Sequence, residues 1–256
     1  MSIAVVTGAS SGIGQEFVNQ IAQNYKSINE IWVIARRKER LILLKEQTEE
    51  KCPNKKIRPI AIDVTDAKQV EEYSCLLRKN MPSVKILVNA AGYGMIGSFD
   101  ELSLEDNVGM CDLNCKALTF ITKVTLPYMN RSRSYIINLA SAAAFVPQPS
   151  FAVYAASKSY VLSLSRALKK ELSKTKIGVT AVCPGPVNTE FFDIAETYNK
   201  VKIYKKMFRA DAKDVVTKAL NDTLRNKDVS VYGKTMQAFN VLCKLLPHKF
   251  IMSFIK

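Results

Sequence analysis

A single histidine, His248, stands in 256 residues, so the chain nearly lacks the commonest metal ligand and physiological base. The six cysteines (Cys52, Cys75, Cys111, Cys115, Cys183 and Cys243) form no C-x-x-C pair, and neither a metal site nor a disulfide scaffold is expected. Cys111 and Cys115 lie one helical turn apart, but reduced cysteines more often serve as small buried hydrophobes than as a redox switch. No run approaches the roughly 18 uninterrupted apolar residues of a membrane span. With no basic leader ahead of Ile3, no signal peptide is expected either, and the expected location is cytoplasmic. Acidic residues are the scarcer charge, 23 against 37 basic, for a formal net charge of +14. The basic residues are dispersed and not interleaved with aromatics as a nucleic-acid groove requires, so a basic solvated surface is expected and nucleic acid is not.

At 48% hydrophobic content the chain can bury the core of one domain but is short for two. Apolar runs near Ile3 to Thr7, Ile31 to Ala35, Ile57 to Ala61, Ile86 to Asn89, Tyr135 to Leu139, Val179 to Cys183 and Val229 to Tyr232 alternate with longer helix-patterned segments. Right-handed crossovers between such runs predict an α/β fold. It is a doubly wound, Rossmann-type parallel seven-stranded sheet with helices on both faces, in a single domain over residues 1–256. Ligands then bind at the carboxyl ends of the strands.

Directly after the first strand comes Thr7-Gly8-Ala9-Ser10-Ser11-Gly12-Ile13-Gly14. Gly8 permits a tight turn, Gly12 lets backbone approach a phosphate, and Gly14 lets helix pack on sheet, with the helix N-terminus facing the anion. Ser10, Ser11 and Ile13 belong to the same pyrophosphate turn. After the second strand, where an NAD-binding chain presents a carboxylate to the ribose, this chain reads Ala35-Arg36-Arg37. Two guanidiniums without a carboxylate favour a 2'-phosphate, so NADP is expected over NAD, NADPH over NADH.

Tyr154 and Lys158 are four residues apart, thirteen residues after Ser141. Reducing a carbonyl by hydride requires a proton at its oxygen, and a tyrosine of pKa about 10 is a reluctant donor unless a cation steadies its phenolate. Lys158, one turn away on the same helical face, can do so. Ser141 follows the fifth strand and emerges at the carboxyl edge of the sheet, where a donor can stabilise an oxyanion.

With these residues in hand, the chain resembles the short-chain dehydrogenase/reductase family, in its short single-domain branch. Five motifs carry the resemblance, in order: the glycine turn, Asp63-Val64, Asn89-Ala90-Ala91-Gly92, the set Asn114/Ser141/Tyr154/Lys158, and Pro184-Gly185-Pro186-Val187-Asn188-Thr189. The resemblance implies that Asp63 and Val64 contact adenine and that Asn89, Ala90, Ala91 and Gly92 shape the floor of the cofactor site. Thr189 holds the nicotinamide carboxamide, with Pro184, Gly185 and Val187 beside the ring. Tyr154 is the implied general acid and base. Lys158 also bonds the nicotinamide ribose, Ser141 orients the substrate carbonyl, and Asn114 anchors a water of a proton relay. Alanine at 140 and 90 departs mildly from the family pattern. Ser11 stands where some NADP-using members carry a basic residue, which throws 2'-phosphate recognition onto Arg36 and Arg37.

The stretch of about 187–210 occupies the place of a substrate loop. Phe191, Phe192, Tyr198, Tyr204, Met207 and Phe208 are candidates to close an apolar lid over a lipophilic carbonyl compound, opposite Phe145, Phe151, Tyr93 and Met95, although an aromatic stripe is more often ordinary core. The tail of about 236–256 mixes apolar residues with Lys244, His248, Lys249 and Lys256, and Pro247 breaks any single helix there. Self-packing or a subunit contact is favoured for it over a membrane surface or a cover on the substrate mouth, in keeping with a homodimer or homotetramer. The expected function is an NADPH-dependent carbonyl reductase or alcohol dehydrogenase acting on a small molecule. The alternatives are a non-catalytic NADP(H)-sensing regulator and, with little chain left for a substrate lobe, an epimerase or dehydratase.

Overall fold

The computed structural model describes residues 1–129, 133–197 and 209–253. Seven parallel strands form one sheet among the described residues: β1 (Ser2–Thr7), β2 (Glu30–Ala35), β3 (Lys56–Ala61), β4 (Ser83–Asn89), β5 (Ser134–Leu139), β6 (Ile177–Val182) and β7 (Val229–Ser230). Their order is β3-β2-β1-β4-β5-β6-β7, so the winding reverses between β1 and β4. At that switch point the carboxyl ends of the strands part and leave a crevice.

The central strands are apolar on both faces because helices cover both. Ala4 and Val6 of β1, with Ile31 and Val33 of β2, pack under α1 (Gly12–Asn24) and its neighbours, whereas Ile3, Val5, Trp32 and Ile34 face the opposite layer. α2 (Lys38–Lys51) and α3 (Ala67–Asn80) complete the first crossovers. Next come α4 (Leu104–Cys111) and α5 (Leu118–Thr125), joined through a π-helical turn at Asp112–Ala117. α6 (Ala152–Glu171) buries Tyr154, Ala155, Lys158, Val161, Leu162 and Ser165. This spacing is one helical face, so the phenol and the ammonium share it.

All seven expected strands are present, with ends shifted by a few residues. The last is shorter than expected: β6 ends at Val182, ahead of Pro184-Gly185-Pro186, so Val231 and Tyr232 find no strand beside them. α7 (Phe191–Ala195) falls within the 187–210 stretch, and α8 (Ala212–Leu224) packs on α1. Tyr198, Tyr204, Met207 and Phe208 lie outside the described residues. The tail forms α9 (Lys234–Leu245) and α10 (His248–Met252), the second starting directly after Pro247. Cys243 and Ile251 are buried against Phe145, Val161 and Leu162, so part of the tail packs on its own domain. Among the described residues no helix is long and apolar enough to cross a membrane.

Candidate active site

The chain leaves β1 through Gly8 and Gly12, whose φ angles of 65° and 54° fall in the left-handed region that glycine tolerates. A Cβ on Gly8 would stand 2.7 Å from the Ala91 nitrogen, and one on Gly14 would run into the Gly8 carbonyl oxygen. Thr7 Oγ1 accepts from the Ala90 and Ala91 backbone N–H groups at 3.1 and 3.2 Å, tying the turns after β1 and β4 together. Ser11 precedes α1 without a side-chain cap, and Gly12, Ile13 and Gly14 line the cleft at that helix end. Uncapped N–H groups beside a cleft are a place for an anion.

Arg37 crosses this turn. Its Nη2 donates to Ser10 Oγ and Ser11 Oγ, each at 3.0 Å, and its Nη1 donates to Glu190 Oε2 at 3.2 Å. Arg40, one turn further on, donates to both Glu190 oxygens at 2.6 and 2.7 Å. The Arg40 hydrogen bond, with Arg37 adding to it, holds the Glu190 carboxyl below its ordinary range. Arg36 is three-quarters exposed, 3.9 Å from Asp63 Oδ2, and Asp63 Oδ1 is engaged by Thr65 through Oγ1 and backbone N. Arg36, Asp63 and Val64 line this same end of the cleft. Sequence reasoning missed Arg40 and Glu190. The spacing of Arg40 from Arg37 was available as a signal, but Glu190 comes from across the cleft and only the tertiary fold brings it there.

At the other end Tyr154 and Lys158 are buried, 7% and 4% exposed, with Lys158 Nζ 5.6 Å from the Tyr154 ring centroid. Lys158 Nζ donates to the Leu139 carbonyl at 2.9 Å, which fixes its reach at the end of β5. Burial pushes the phenol up to about 12, against a hydrogen bond to Ser141 that lowers it, and burial brings the Lys158 ammonium down to about 8. Ser141 caps the 3-10 turn Ala142–Phe145, accepting from the Ala143 N–H at 3.1 Å. Gly94 is the other side of the Tyr154 slot, where a Cβ would meet ring carbon Cδ2 at 2.5 Å.

Asn114 sits in the π-helical turn, 1% exposed, behind Gly92 and off the cleft wall. Its Oδ1 accepts from the Tyr93 N–H at 3.1 Å, and its Nδ2 donates to the Tyr93 carbonyl and to Ser157 Oγ, each at 2.9 Å. A π turn bulges one residue out of the regular ladder and recurs at functional sites. Asn89 is likewise off the wall, donating to Thr122 Oγ1 and Asn138 Oδ1 beneath it, whereas Ala90, Ala91 and Gly92 line it.

The cleft measures about 1780 Å³. Pro184, Gly185, Val187 and Thr189 line it, and a Cβ on Gly12 would touch Thr189 at 3.1 Å. Phe151 stacks on Tyr154 at 4.2 Å between ring centroids, Phe191 stands at 5.5 Å, and Tyr93 and Phe192 add apolar wall. Phe145 and Met95, expected on this wall, are instead buried behind it, Phe145 against Phe239 and Met95 against Met110. Met236 and Phe239 of α9 supply part of the wall, so the tail also borders the cleft, the reading weighed for it behind self-packing.

The family model for the short chain dehydrogenases matches residues 2–199. An uncharacterized oxidoreductase of Staphylococcus epidermidis is 32% identical over 188 residues, 73% of this chain and 78% of that protein. The short-chain dehydrogenase of Sphingobium yanoikuyae, solved in complex with NADPH, superposes with a TM-score of 0.83 at 26% identity, covering 100% of this chain and 97% of that one. The bulky-bulky ketone specific alcohol dehydrogenase of Comamonas testosteroni gives 0.78 at 27% identity, over 100% and 95%. The seven-stranded parallel sheet thus has its counterpart in solved dehydrogenases, and this chain belongs to the short-chain dehydrogenase family.

Proposed function

We propose that this protein is an NADP(H)-dependent carbonyl reductase, working on a lipophilic ketone or aldehyde and on the matching alcohol in reverse. The observation that carries the reading is Tyr154 and Lys158 buried together at the cleft, one helical turn apart, with Ser141 lining the same cleft. The residues present fit a phosphorylated dinucleotide: an uncapped helix end, two left-handed glycines that admit close backbone, and Arg37 with Arg40 beside them. Backbone N–H groups of the turn hold pyrophosphate, Asp63 and Val64 take the adenine end, and Arg36, Arg37 and Arg40 grip the 2'-phosphate. Thr189, Pro184 and Gly185 seat the far ring.

When bound, the reduced nicotinamide supplies a hydride to the carbonyl carbon. Tyr154 gives its proton to the carbonyl oxygen as charge builds there, and Ser141 holds that oxygen by a hydrogen bond. Lys158, when protonated, stabilises the phenolate left behind and bonds ribose hydroxyls. Asn114 fixes the Tyr93 backbone and Ser157, and so positions the α6 turn that carries Tyr154. Apolar Phe151, Phe191 and Phe192 select a lipophilic substrate and exclude water.

A second copy of the chain fits the face of α4 and α6. Leu104, Val108 and Tyr160 are exposed there, 73%, 49% and 42%, among mixed charges such as the Asp112–Lys116 pair at 3.5 Å, which suits a self-complementary contact in a homodimer or homotetramer. The decisive test of the chemistry is Tyr154→Phe. Reduction of a bulky ketone should fall by roughly 10²–10⁴-fold, the usual worth of a positioned acid, while NADPH binding by fluorescence titration stays intact. Near-normal turnover by that variant would refute the mechanism.

A further inference from the structure

From Val229 to Lys256 the chain carries no aspartate or glutamate, while Lys234, Lys244, Lys249 and Lys256 are spread along it. The segment lies beyond residues 2–199 that the family model matches. Within α9 the residues divide into two faces. Met236, Phe239 and Cys243 turn inward, the first two onto the cleft wall and the third into the core. Lys234, Val241 and Leu245, spaced i, i+7 and i+11, point outward together with Leu242. Val241 is 52% exposed, Leu242 45% and Leu245 75%.

We propose that this outward face of α9 docks the protein, in the plane of the interface, on an anionic phospholipid surface. An apolar strip framed by lysines is the arrangement of an interfacial helix, with apolar side chains sinking among acyl chains and ammoniums held by headgroup phosphates. Charge decides between lipid and a second copy of the chain. A two-fold contact sets a patch against itself, which would bring the lysines of this acid-free segment together, whereas an anionic bilayer neutralises them. The mixed-sign face of α4 and α6 carries no such penalty.

The inner face of α9 walls the cleft, so docking sets the cleft beside the bilayer. Resting on the carbonyl-reductase reading, this makes the substrate a ketone or aldehyde that partitions into membranes. The docking itself is independent of turnover and is read without it.

Flotation of the full-length protein with vesicles of phosphatidylcholine alone, and with phosphatidylglycerol added, tests the proposal. We expect at least about tenfold tighter association with the anionic vesicles, lost in about 1 M salt where the Debye length is about 3 Å. Leu245→Glu combined with Leu242→Glu should abolish association and leave reduction of a water-soluble ketone at the wild-type rate, which shows the fold intact. Equal binding to both vesicle types, no binding to either, or full binding by the double variant would each overturn the proposal. A dimer in solution that the double variant converts to monomer would overturn it too, assigning the face to a second copy. Failure of ketone reduction with anionic vesicle binding retained would instead count against the reductase reading alone.

Discussion

Lys158 bears the clearest residue-scale consequence of burial. Its folded-state pKa of about 8 lies below the ordinary 10.5, so between these values the unfolded chain binds the proton that the folded chain has released. Stability of the cofactor-free protein therefore rises with pH across that window, and at neutral pH the buried ammonium is a cost. Lys158→Met should stabilise the cofactor-free protein at pH 7 by on the order of 1–3 kcal/mol and flatten that slope, while turnover collapses; urea melts at pH 7 and 10 check both. The same group sets the pH profile. kcat/KM for reduction should hold below about pH 8 and fall above it as Lys158 loses the charge that supports the Tyr154 phenolate. A profile flat to pH 10 would remove Lys158 from that role. Glu190 already engages Arg37 and Arg40, the two groups proposed to grip a 2'-phosphate. Glu190→Gln should tighten NADPH several-fold and leave NADH unchanged, as measured by fluorescence titration.

At the scale of the element, the turn between β1 and α1 and the single face of α6 do most of the placing. Gly14→Ala puts a methyl against the Gly8 carbonyl oxygen, so helix and strand must separate. We expect a loss of about 1–3 kcal/mol, the usual overpacking cost, together with weaker NADPH binding, as measured by urea melts and fluorescence titration. These elements were legible because each is local. The glycine spacing states its turn, and the four-residue interval of Tyr154 and Lys158 states its face. The π-helical turn at Asp112–Ala117 was not legible, because nothing in DLNCKA departs from an ordinary helix. Its shape comes from Asn114 bonding the Tyr93 backbone and Ser157 across the fold.

For the whole molecule, the cleft joins the β1–β4 switch point to the inner face of α9, so the last crossover and the tail close what the first strands open. A ligand filling it binds only the folded state and must stabilise it. At 100 times its Kd, NADPH should add about 2.7 kcal/mol, a rise in Tm of roughly 5–10 °C for a domain of this size, and NADH at equal concentration should add less. Equal shifts from the two cofactors would contradict the NADP preference.

Apolar periodicity and motif order determined by themselves the seven-strand parallel sheet, the family resemblance, the glycine turn and the shared helical face of Tyr154 and Lys158, since each is written in residues close along the chain. Only the tertiary structure decided that Glu190 meets Arg37 and Arg40, that Phe145 and Met95 sit behind the wall they were expected to line, and that α9 parts its apolar residues between cleft and surface. Those outcomes depend on chains distant in sequence arriving at one place, where packing volume and charge, not local pattern, select the contact.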